Sequence, residues 1–358
     1  MKISPAKKNR GIAVIVALVA VTVLTILAGA FAYSMKVETH LAAHANNDEQ
    51  MLWMGRAGVE LARYVVAQEN KQQYDGLNQI WAGGPGAGAE TNGPLAGMSL
   101  TDFPVGDEGG TISVKIIDLE RKVNVNSAPP LLLQQVLTVM GADAGDITAV
   151  SDGILDWVDP DDDPRPGGAE SDYYQGQNPP YYAKNAPMDD ISELLLIKGV
   201  TEAMYNGGED TNSAGAAFQH QKLGFGHAPG EAPSYAFGLK DVFTPFSSGR
   251  ININTADTTV LQFIPGVDTT TAADILKYRA GPDGQDGTED DMPFVNPGQL
   301  AAVGVNQDLV SKITPFITTK STTFEVHVTA RVANYTREFV AVIYRNGTSV
   351  QTVGFYWK

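Results

Sequence analysis

The chain has 358 residues, 43% of them hydrophobic, no cysteine and a formal net charge of −16 at pH 7. Without cysteine the chain makes no disulfide and no thiolate metal site. Its acidic balance argues against binding a nucleic-acid phosphate backbone, because that task depends on Lys and Arg. Divalent cations are the natural partners of such a surface, and the length is sufficient for a sizeable core and two or three domains.

A basic leader opens the chain and ends in Gly11, and an uncharged apolar run follows from Ile12 to Met35. A helix over this run would be about 36 Å long, enough to cross a bilayer core of about 30 Å with some tilt. Because the leader cations precede the span, the positive-inside rule places residues 1–11 in the cytoplasm. The sequence therefore predicts a transmembrane helix over residues 12–35 of a single-pass protein, with its bulk across the membrane. In a bacterium this means an inner-membrane anchor and a bulk in the periplasm.

The apolar pattern continues without Pro, which predicts that the N-terminal helix extends to residue 68. Leu52, Val59 and Val66 lie seven residues apart in this outer half and are expected to face a sheet. After a loop rich in Gly and Pro, β-branched and aromatic runs predict strands at residues 111–118, 122–126, 324–332, 337–344 and 350–356. Asn346-Gly347 predicts a hairpin between the last two strands. The expected class is α+β, with the long helix packed on an antiparallel sheet.

The intervening residues, 128–315, belong to a predicted insertion with an internal repeat. The run VNVNSA at Val123–Ala128 recurs as ININTA at Ile251–Ala256. Each copy is predicted to run strand, cap, helix, turn, helix, and Ser127 and Thr255 are the predicted helix N-caps.

The second copy contains the turn Ile264–Val267, which resembles the turn of a helix-hairpin-helix unit. Such units bind nucleic-acid phosphates through backbone amides, so a membrane-anchored nucleic-acid-binding protein is one alternative function. However, no basic cluster lies beside this turn, and Asp257 and Asp268 flank it. A small helical packing module is the favoured interpretation.

The leader resembles the type IV prepilin signal, in which a short basic segment ending in Gly directly precedes a long apolar helix. In that family a membrane peptidase cuts after the Gly, which implies cleavage between Gly11 and Ile12; an uncut anchor is the alternative. Most pilin-like chains have Glu as the fifth mature residue, whereas Val16 occupies that position here. This departure resembles the K-type minor pseudopilins (GspK) of type II secretion systems.

The resemblance to GspK is most specific in the first repeat. The motif ILDWVDPD at residues 154–161 is followed by GGAE at 167–170, DYY at 172–174, APM at 186–188 and SEL at 192–194. The resemblance implies a pilin-like α/β domain over residues 69–127 and 316–358. It also implies an inserted helical domain over residues 128–315, with a duplicated helix-turn-helix unit of helix-hairpin-helix or SAM-like type.

The function implied by the resemblance is a non-catalytic minor pseudopilin that forms or caps the tip of the pseudopilus and primes its assembly. The implied partners are the other minor pseudopilins of the tip complex, the major pseudopilin, the inner-membrane assembly platform and the prepilin peptidase, with no nucleic acid. A minor pilin of a type IV pilus or competence system is the alternative within this class. The hypothesis for Val16 is that it removes a carboxylate that would reach a subunit ahead.

Two acidic loops are candidate calcium sites, and the resemblance to GspK implies calcium binding on the globular part. Ca²⁺ takes six to eight oxygen ligands, which suits closely spaced carboxylates in a tight turn. The first candidate set is Asp159, Asp161, Asp163, Glu170 and Asp172, and the second is Asp283, Asp286, Glu289, Asp290 and Asp291. Neither fits the EF-hand pattern. The alternative for both is a solvated acidic turn in which Asp caps backbone amides.

No catalytic residue is predicted. Paired acids such as Asp159 and Asp161 would need fixed spacing and environments that separate their pKa values, and the sequence indicates neither. The chain has no nucleophile elbow and no Gly-rich run with P-loop spacing. A protein without enzymatic activity is therefore expected.

Overall fold

The computed structural model describes residues 10–86, 95, 97–106, 109–208 and 235–358. The predicted leader therefore lies outside the described residues, apart from its last two positions. The described part of the chain is a mixed α and β fold in which a long N-terminal helix packs on an antiparallel sheet. The predicted α+β class is confirmed at this level.

Nine α-helices and nine strands lie within the described residues. The helices are α1 (Arg10–Glu69), α2 (Pro130–Met140), α3 (Ala144–Val158), α4 (Ser171–Gln175), α5 (Glu202–Asn206), α6 (Leu239–Val242), α7 (Thr258–Leu261), α8 (Thr269–Arg279) and α9 (Gln307–Ile313). The strands are β1 (Phe103–Val105), β2 (Gly110–Asp118), β3 (Val123–Asn124), β4 (Phe243–Thr244), β5 (Ile251–Asn252), β6 (Ile317–Thr318), β7 (Thr323–Val332), β8 (Tyr335–Asn346) and β9 (Ser349–Trp357).

Helix α1 is continuous over 60 residues, which confirms the predicted extension to residue 68. Its stretch Ile12–Thr39 has a mean hydropathy of 2.8 and is, among the described residues, the one helix long and apolar enough to cross a membrane. The side chains of this stretch are exposed, as in Ile12 and Val16, which are 60% and 61% exposed. This length and exposure are compatible with a single-pass membrane anchor.

The main sheet has five antiparallel strands in the order β1-β2-β7-β8-β9. Four of the predicted strands, the first and the last three, are confirmed to within two residues at each end. The predicted hairpin at Asn346-Gly347 is also confirmed, with Asn346 opposite Ser349 and Gly347 at φ +58°. Strand β2 pairs directly with β7, so strands far apart in the sequence are neighbours in the sheet.

The predicted strand at residues 122–126 is wrong in length. Only β3 forms there, and it pairs in parallel with β4 outside the main sheet, as β5 pairs with β6 in the second repeat. The reason is a side-chain turn: the Asn124 side-chain oxygen accepts a hydrogen bond from the Asn126 backbone N–H at 2.9 Å. Asn252 and Asn254 make the same contact at 3.0 Å. Such turns compete with strand pairing and end each strand early.

The two predicted N-caps, Ser127 and Thr255, are wrong for the same reason, because the Asn-initiated turn separates each strand from the following helix. Helix α2 begins after Pro129, which provides no side-chain cap. Helix α7 is capped by Asp257, whose carboxylate accepts the Val260 N–H at 2.8 Å. Thr255 instead donates its hydroxyl to Asp118.

Two hydrophobic cores organise the described residues. The sheet core consists of buried apolar side chains from residues 51–66 of α1, residues 81–116 and residues 324–350. The helical core consists of buried apolar side chains from residues 123–317 and includes Trp157, Tyr174 and Phe263. In the sheet core, Val59 and Val66 of the predicted stripe are buried, and Leu52 packs at the margin.

Two glycines allow α1 to lie close against the sheet. A Cβ at Gly58 would lie 2.4 Å from Val328 Cγ1, and a Cβ at Gly55 would lie 2.6 Å from Phe339 Cδ2. Val328 and Phe339 are fully buried, so neither side chain has free space to retreat into. Close contact between helix and sheet therefore depends on the missing side chains at these two positions.

Gly58→Ala is expected to destabilise the fold by about 1–3 kcal/mol through overpacking, although Ala favours a helix over Gly by about 1 kcal/mol. Thermal unfolding of the full chain in detergent, followed by circular dichroism, measures the effect. Gly145→Ala in α3 is the matched control, because a Cβ there meets nothing within 4 Å. A Gly58→Ala variant as stable as the Gly145→Ala variant would contradict this packing argument.

Candidate metal centre

The first acidic loop joins the end of α3 to the start of α4. Asp159 directly follows α3, and Glu170 directly precedes α4. Together with Asp161 they offer ligand oxygens that all lie within 4.8 Å of one another. Across the described ranges this is the single group of three or more metal-ligating side chains with that spacing. Asp163 and Asp172, from the same predicted set, lie outside it.

Arg165 and the buried Asp156 hold this loop in shape. The Arg165 guanidinium donates to Asp156 at 2.7 Å and to Asp159 at 2.5 Å, and its backbone N–H donates to Asp156 at 3.1 Å. A Cβ at Gly168 would lie 1.9 Å from Asp156 Oδ2, so this position requires glycine. The Lys198 ammonium donates to the Gly168 carbonyl at 2.9 Å and closes the turn.

Several oxygens in this loop are buried without a partner. Among the described residues, neither oxygen of Glu170 has a hydrogen-bond donor, and the same holds for Asp159 Oδ1 and Asn185 Oδ1. Glu170 is only 3% exposed. Burial raises the pKa of Glu170 to about 7, and the nearby carboxylates of Asp156 and Asp159 add to this shift. Unpaired buried carboxylate oxygens are costly unless a proton or a cation neutralises them.

Asn185 is a candidate ligand that sequence reasoning missed. Its side-chain amide donates to the Asp161 carbonyl at 2.7 Å and to Asp162 Oδ1 at 3.0 Å, which places its free Oδ1 beside the loop. Its backbone has φ +46°, the left-handed region that Asn tolerates better than most residues. It lies more than twenty residues beyond Asp161, so no spacing rule could have linked the two.

The oxygen set fits a hard cation. Ca²⁺ binds carboxylate and carbonyl oxygens in a flexible geometry with six to eight ligands. Asp159, Asp161 and Glu170 would supply the carboxylates, and Asn185 would supply an amide oxygen. One Asp161 oxygen already accepts the Asp163 N–H at 3.0 Å, which leaves the other available.

The second acidic loop uses its carboxylates differently. Asp286 pairs with the buried Arg279 at 2.8 Å, and Asp290 accepts hydrogen bonds from the Asp283 N–H and the Thr288 hydroxyl. Asp291 accepts the Gly287 N–H at 2.8 Å. In this loop, whose residues are all described, no group of three ligand oxygens meets the same spacing. These contacts support the acidic-turn interpretation, and calcium binding here stays a prediction.

The turn Ile264–Val267 connects α7 to α8, with Gly266 at φ +84°. One backbone amide at the start of α8 is already occupied, because Asp268 accepts the Thr271 N–H at 2.8 Å. A phosphate at this helix start would have to displace a carboxylate, which is electrostatically unfavourable. The geometry therefore does not favour nucleic-acid binding at this turn.

The predicted processing residues lie at the start of α1. Gly11 and Ile12 belong to the helix, and Val16 follows one turn later. Val16 is 61% exposed, on a surface free to contact lipid or another helix. Cleavage between Gly11 and Ile12 stays a prediction.

Residues 114–208 match the family model described as type II secretion system (T2SS), protein K. This segment contains the first acidic loop. Among curated proteins, the chain is 26% identical over 214 residues to type II secretion system protein K of Pseudomonas aeruginosa. It is 27% identical over 220 residues to the same protein of Aeromonas hydrophila. These alignments cover 55% and 56% of this chain and 59% and 61% of the two relatives.

The fold is similar to that of a chain in the crystal structure of the GspK-GspI-GspJ complex from enterotoxigenic Escherichia coli. The TM-score is 0.63 at 18% sequence identity, and the similarity covers 88% of this chain and 99% of that one. The chain thus combines the fold of that complex component with the sequence features of protein K. The chain is thus similar to type II secretion system protein K over residues 114–208 and over little more than half of its length, and it spans about three fifths of the length of these relatives.

Proposed function

We propose that this chain is a minor pseudopilin of a type II protein secretion system, which forms or caps the tip of the pseudopilus and primes its assembly. The match of residues 114–208 to the protein K family is the observation that carries this proposal. The long apolar helix α1 and the sheet packed on it support it further. The proposed function is structural, and no residue is proposed to be catalytic.

We also propose a two-domain organisation for the part of the chain that follows α1. Residues 128–315 form a helical domain inserted into a pilin-like domain of residues 69–127 and 316–358, and the insertion contains a duplicated helix-turn-helix unit. The separate sheet and helical cores support this division. So do the matching Asn turns that open the two repeats.

The anchor is proposed to sit in the inner membrane with the leader in the cytoplasm and the bulk of the chain in the periplasm. The prepilin peptidase would cut between Gly11 and Ile12 and leave α1 in the bilayer. N-terminal sequencing of membrane-extracted protein, with and without the peptidase, tests this step. A first residue other than Ile12 in the presence of the peptidase would contradict it.

The proposed partners are the other minor pseudopilins of the tip complex. The structurally similar chain was crystallised in a complex named for GspK, GspI and GspJ, and we propose that the corresponding proteins of this system bind here. The major pseudopilin and the inner-membrane assembly platform would contact the anchored helix during assembly. Nucleic acid is not an expected partner.

Loss of the gene in the native host tests the main proposal. Type II substrates are expected to accumulate in the periplasm instead of the medium, and the full-length gene should restore their export. Normal secretion combined with lost piliation or DNA uptake would contradict the proposal and indicate a pilus or competence system. Binding of DNA or RNA that survives physiological salt would indicate the nucleic-acid alternative.

Val16→Glu is expected to change where the protein sits in the fibre. A carboxylate at this position is costly in lipid unless it finds a partner, and the N-terminal amine of a neighbouring subunit would supply one. The variant should therefore appear along pseudopili, whereas the wild type should appear only at the tip. Immunogold labelling of surface pseudopili measures the distribution, with Val14→Ile as the control. Wild-type protein found along the fibre would refute a tip-specific role for Val16.

We also propose that the first acidic loop binds Ca²⁺ through Asp159, Asp161 and Glu170, with Asn185 as a further oxygen donor. Their unpaired buried oxygens support this proposal. Calcium would neutralise the loop and tie the end of α3 to the start of α4. Titration of the full chain in detergent is expected to raise its melting temperature, and no change at about 1 mM calcium, the weak end of known sites, would contradict it.

A further inference from the structure

A buried polar cluster separates the two hydrophobic cores. Asp118 lies at the end of β2 and is only 2% exposed. Its neighbours in sequence belong to different cores, because Ile116 packs in the sheet core and Val123 packs in the helical core. The polar contacts of Asp118 therefore connect the two halves of the molecule.

Asp118 Oδ2 accepts three side-chain hydrogen bonds. Thr255 donates its hydroxyl at 2.5 Å, and Asn252 donates its amide at 3.1 Å. Both residues come from the second repeat, next to Ile251 and Ile253 of the helical core. Ser321, which precedes β7, donates its hydroxyl at 2.7 Å. One carboxylate oxygen thus holds side chains from both sides of the junction.

The buried charges around this point do not balance. Asp75 and Glu120 are fully buried beside Asp118, and the Arg345 guanidinium is the single buried cation that contacts any of the three within the described residues. Arg345 pairs with Asp75, whose Oδ1 still has no hydrogen-bond partner in the described part of the chain. Excess negative charge in a low-dielectric interior favours uptake of a proton by one of the carboxyl groups.

Other charged groups near the buried cluster do not remove its excess of negative charge. Glu69 adds a further carboxylate near Asp75, although its oxygens accept the Ile80 and Trp81 N–H groups at 2.8 and 3.0 Å. Lys320 approaches Asp75 from the β6–β7 connection, but its ammonium is held by the Asn70 and Gln72 carbonyls at 2.8 and 2.9 Å. The cluster therefore keeps an excess of carboxyl groups.

Hydrogen bonding selects Asp118 as the proton acceptor. Each Glu120 side-chain oxygen accepts a backbone N–H, from Ser248 and Thr323, and these groups can only donate; Glu120 Oε1 also accepts the Thr322 hydroxyl at 2.7 Å. Asp118 Oδ1 accepts the Glu120 backbone N–H at 2.8 Å, but Oδ2 accepts from two hydroxyls besides the Asn252 amide. A hydroxyl can accept a hydrogen bond as well as donate one. When Asp118 carries a proton, it can donate to Thr255 Oγ1, and the Thr255 hydroxyl can turn toward the Asn252 carbonyl 3.5 Å away. The network therefore accommodates both protonation states of Asp118.

We propose that Asp118 is a proton-controlled joint between the sheet core and the helical core, which is tight when Asp118 is protonated and loosens as the pH rises through neutrality. The contacts of Asn252, Thr255 and Ser321 form the joint, and the bound proton removes the excess buried charge. Because the bulk of the chain is proposed to lie in the periplasm, the joint would respond to the pH of that compartment.

The direction of this pH dependence follows from the pKa of Asp118 in the closed and in the open joint. Burial, and next the Glu120 carboxylate, raise the pKa of Asp118 from 3.8 to about 7. An open joint exposes Asp118 to water and returns its pKa to the ordinary value. The closed state therefore gains stability from the proton, in full below the ordinary pKa, and loses it as the pH rises through about 7. The opening constant is expected to increase about tenfold between about pH 6 and about pH 8.

Hydrogen exchange of the full chain in detergent, measured by mass spectrometry and corrected for the intrinsic exchange rate, tests the joint. In the wild type, the protection factors of peptides covering residues 251–258 and 318–323 should fall about tenfold over this pH range. Asp118→Asn should abolish that change. Asp268→Asn, at an exposed helix cap, is the matched control and should keep it. An Asp118→Asn variant that keeps the wild-type pH dependence overturns the proposal.

A second variant tests the proton-controlled joint if the Asp118→Asn variant does not fold. Thr255→Val removes a hydroxyl that stabilises the ionised form of Asp118, so the midpoint of the transition should move to higher pH. A purely structural role for Thr255 would lower protection equally at every pH and leave the midpoint where it is. An unmoved midpoint in Thr255→Val therefore overturns the proposal.

Discussion

Replacing Arg345 by Met is expected to lower the free energy of unfolding by about 3–5 kcal/mol, because it leaves a buried carboxylate without its cation. Arg345 is 3% exposed and pairs with the fully buried Asp75. The same guanidinium donates to the Ser321 carbonyl and lies 5.1 Å from the centre of the Phe324 ring. Met would fill much of the volume, so the loss would come from charge and hydrogen bonding.

Chemical denaturation of the full chain in detergent measures this effect. Arg331→Met is the matched control, because Arg331 is half exposed and pairs with the exposed Asp102 at 3.2 Å. Exposed pairs contribute about 0–1 kcal/mol. A double variant with Asp75→Asn should recover much of the loss, since it removes the unpaired charge and keeps an acceptor for the Ser321 N–H. An Arg345→Met variant as stable as the Arg331→Met control would contradict the argument.

The sheet and α1 were predictable because their signals are local. Ile112, Val114 and Ile116 alternate with more polar residues along β2, and the period of two survives because one face is buried against α1. The Asn-Gly hairpin is likewise set by neighbouring residues. Edges of elements with such strong periodicity moved by no more than two residues between sequence and structure.

The junction between the cores was not predictable by the same reasoning. Asp118 is the last residue of an apolar strand and looks like an ordinary strand end. Asn252 lies in a predicted strand, and Thr255 lies at a predicted helix N-cap. Their role arises because segments far apart in sequence meet at one carboxylate. Periodicity and capping rules describe contacts within a few residues and carry no information on such meetings.

The candidate metal centre was predictable in part. Dense acids in a Pro-rich turn pointed to Asp159, Asp161 and Glu170, because hard cations need several oxygens close together. The turn geometry then decided which acids converge, and it leaves Asp163 and Asp172 outside the group. Asn185 joins the loop only through the packing of a later segment against it.

Glu170→Gln is expected to change stability in opposite directions with and without calcium. Without the ion, the substitution removes a buried charge that faces Asp159 and Asp161, so the melting temperature should stay level or rise. With the ion at about one hundred times its dissociation constant, the wild type should gain about 2.7 kcal/mol, and the variant should gain little. Calorimetry of the full chain in detergent, in calcium and in EDTA, measures both. Asp172→Asn, on the exposed face of α4, is the matched control and should keep the calcium response.

The same site should bind calcium more tightly as the pH rises. Burial holds the pKa of Glu170 at about 7 in the ion-free protein, so below that pH the ion must displace a proton. Affinity should therefore fall about tenfold per pH unit well below neutrality and level off above it. Isothermal titration calorimetry between about pH 5 and about pH 8 would follow this trend. A calcium affinity that is independent of pH, or a calcium response that persists in Glu170→Gln, would show that Glu170 is not a ligand, because a carboxylate that binds the ion must first release its proton.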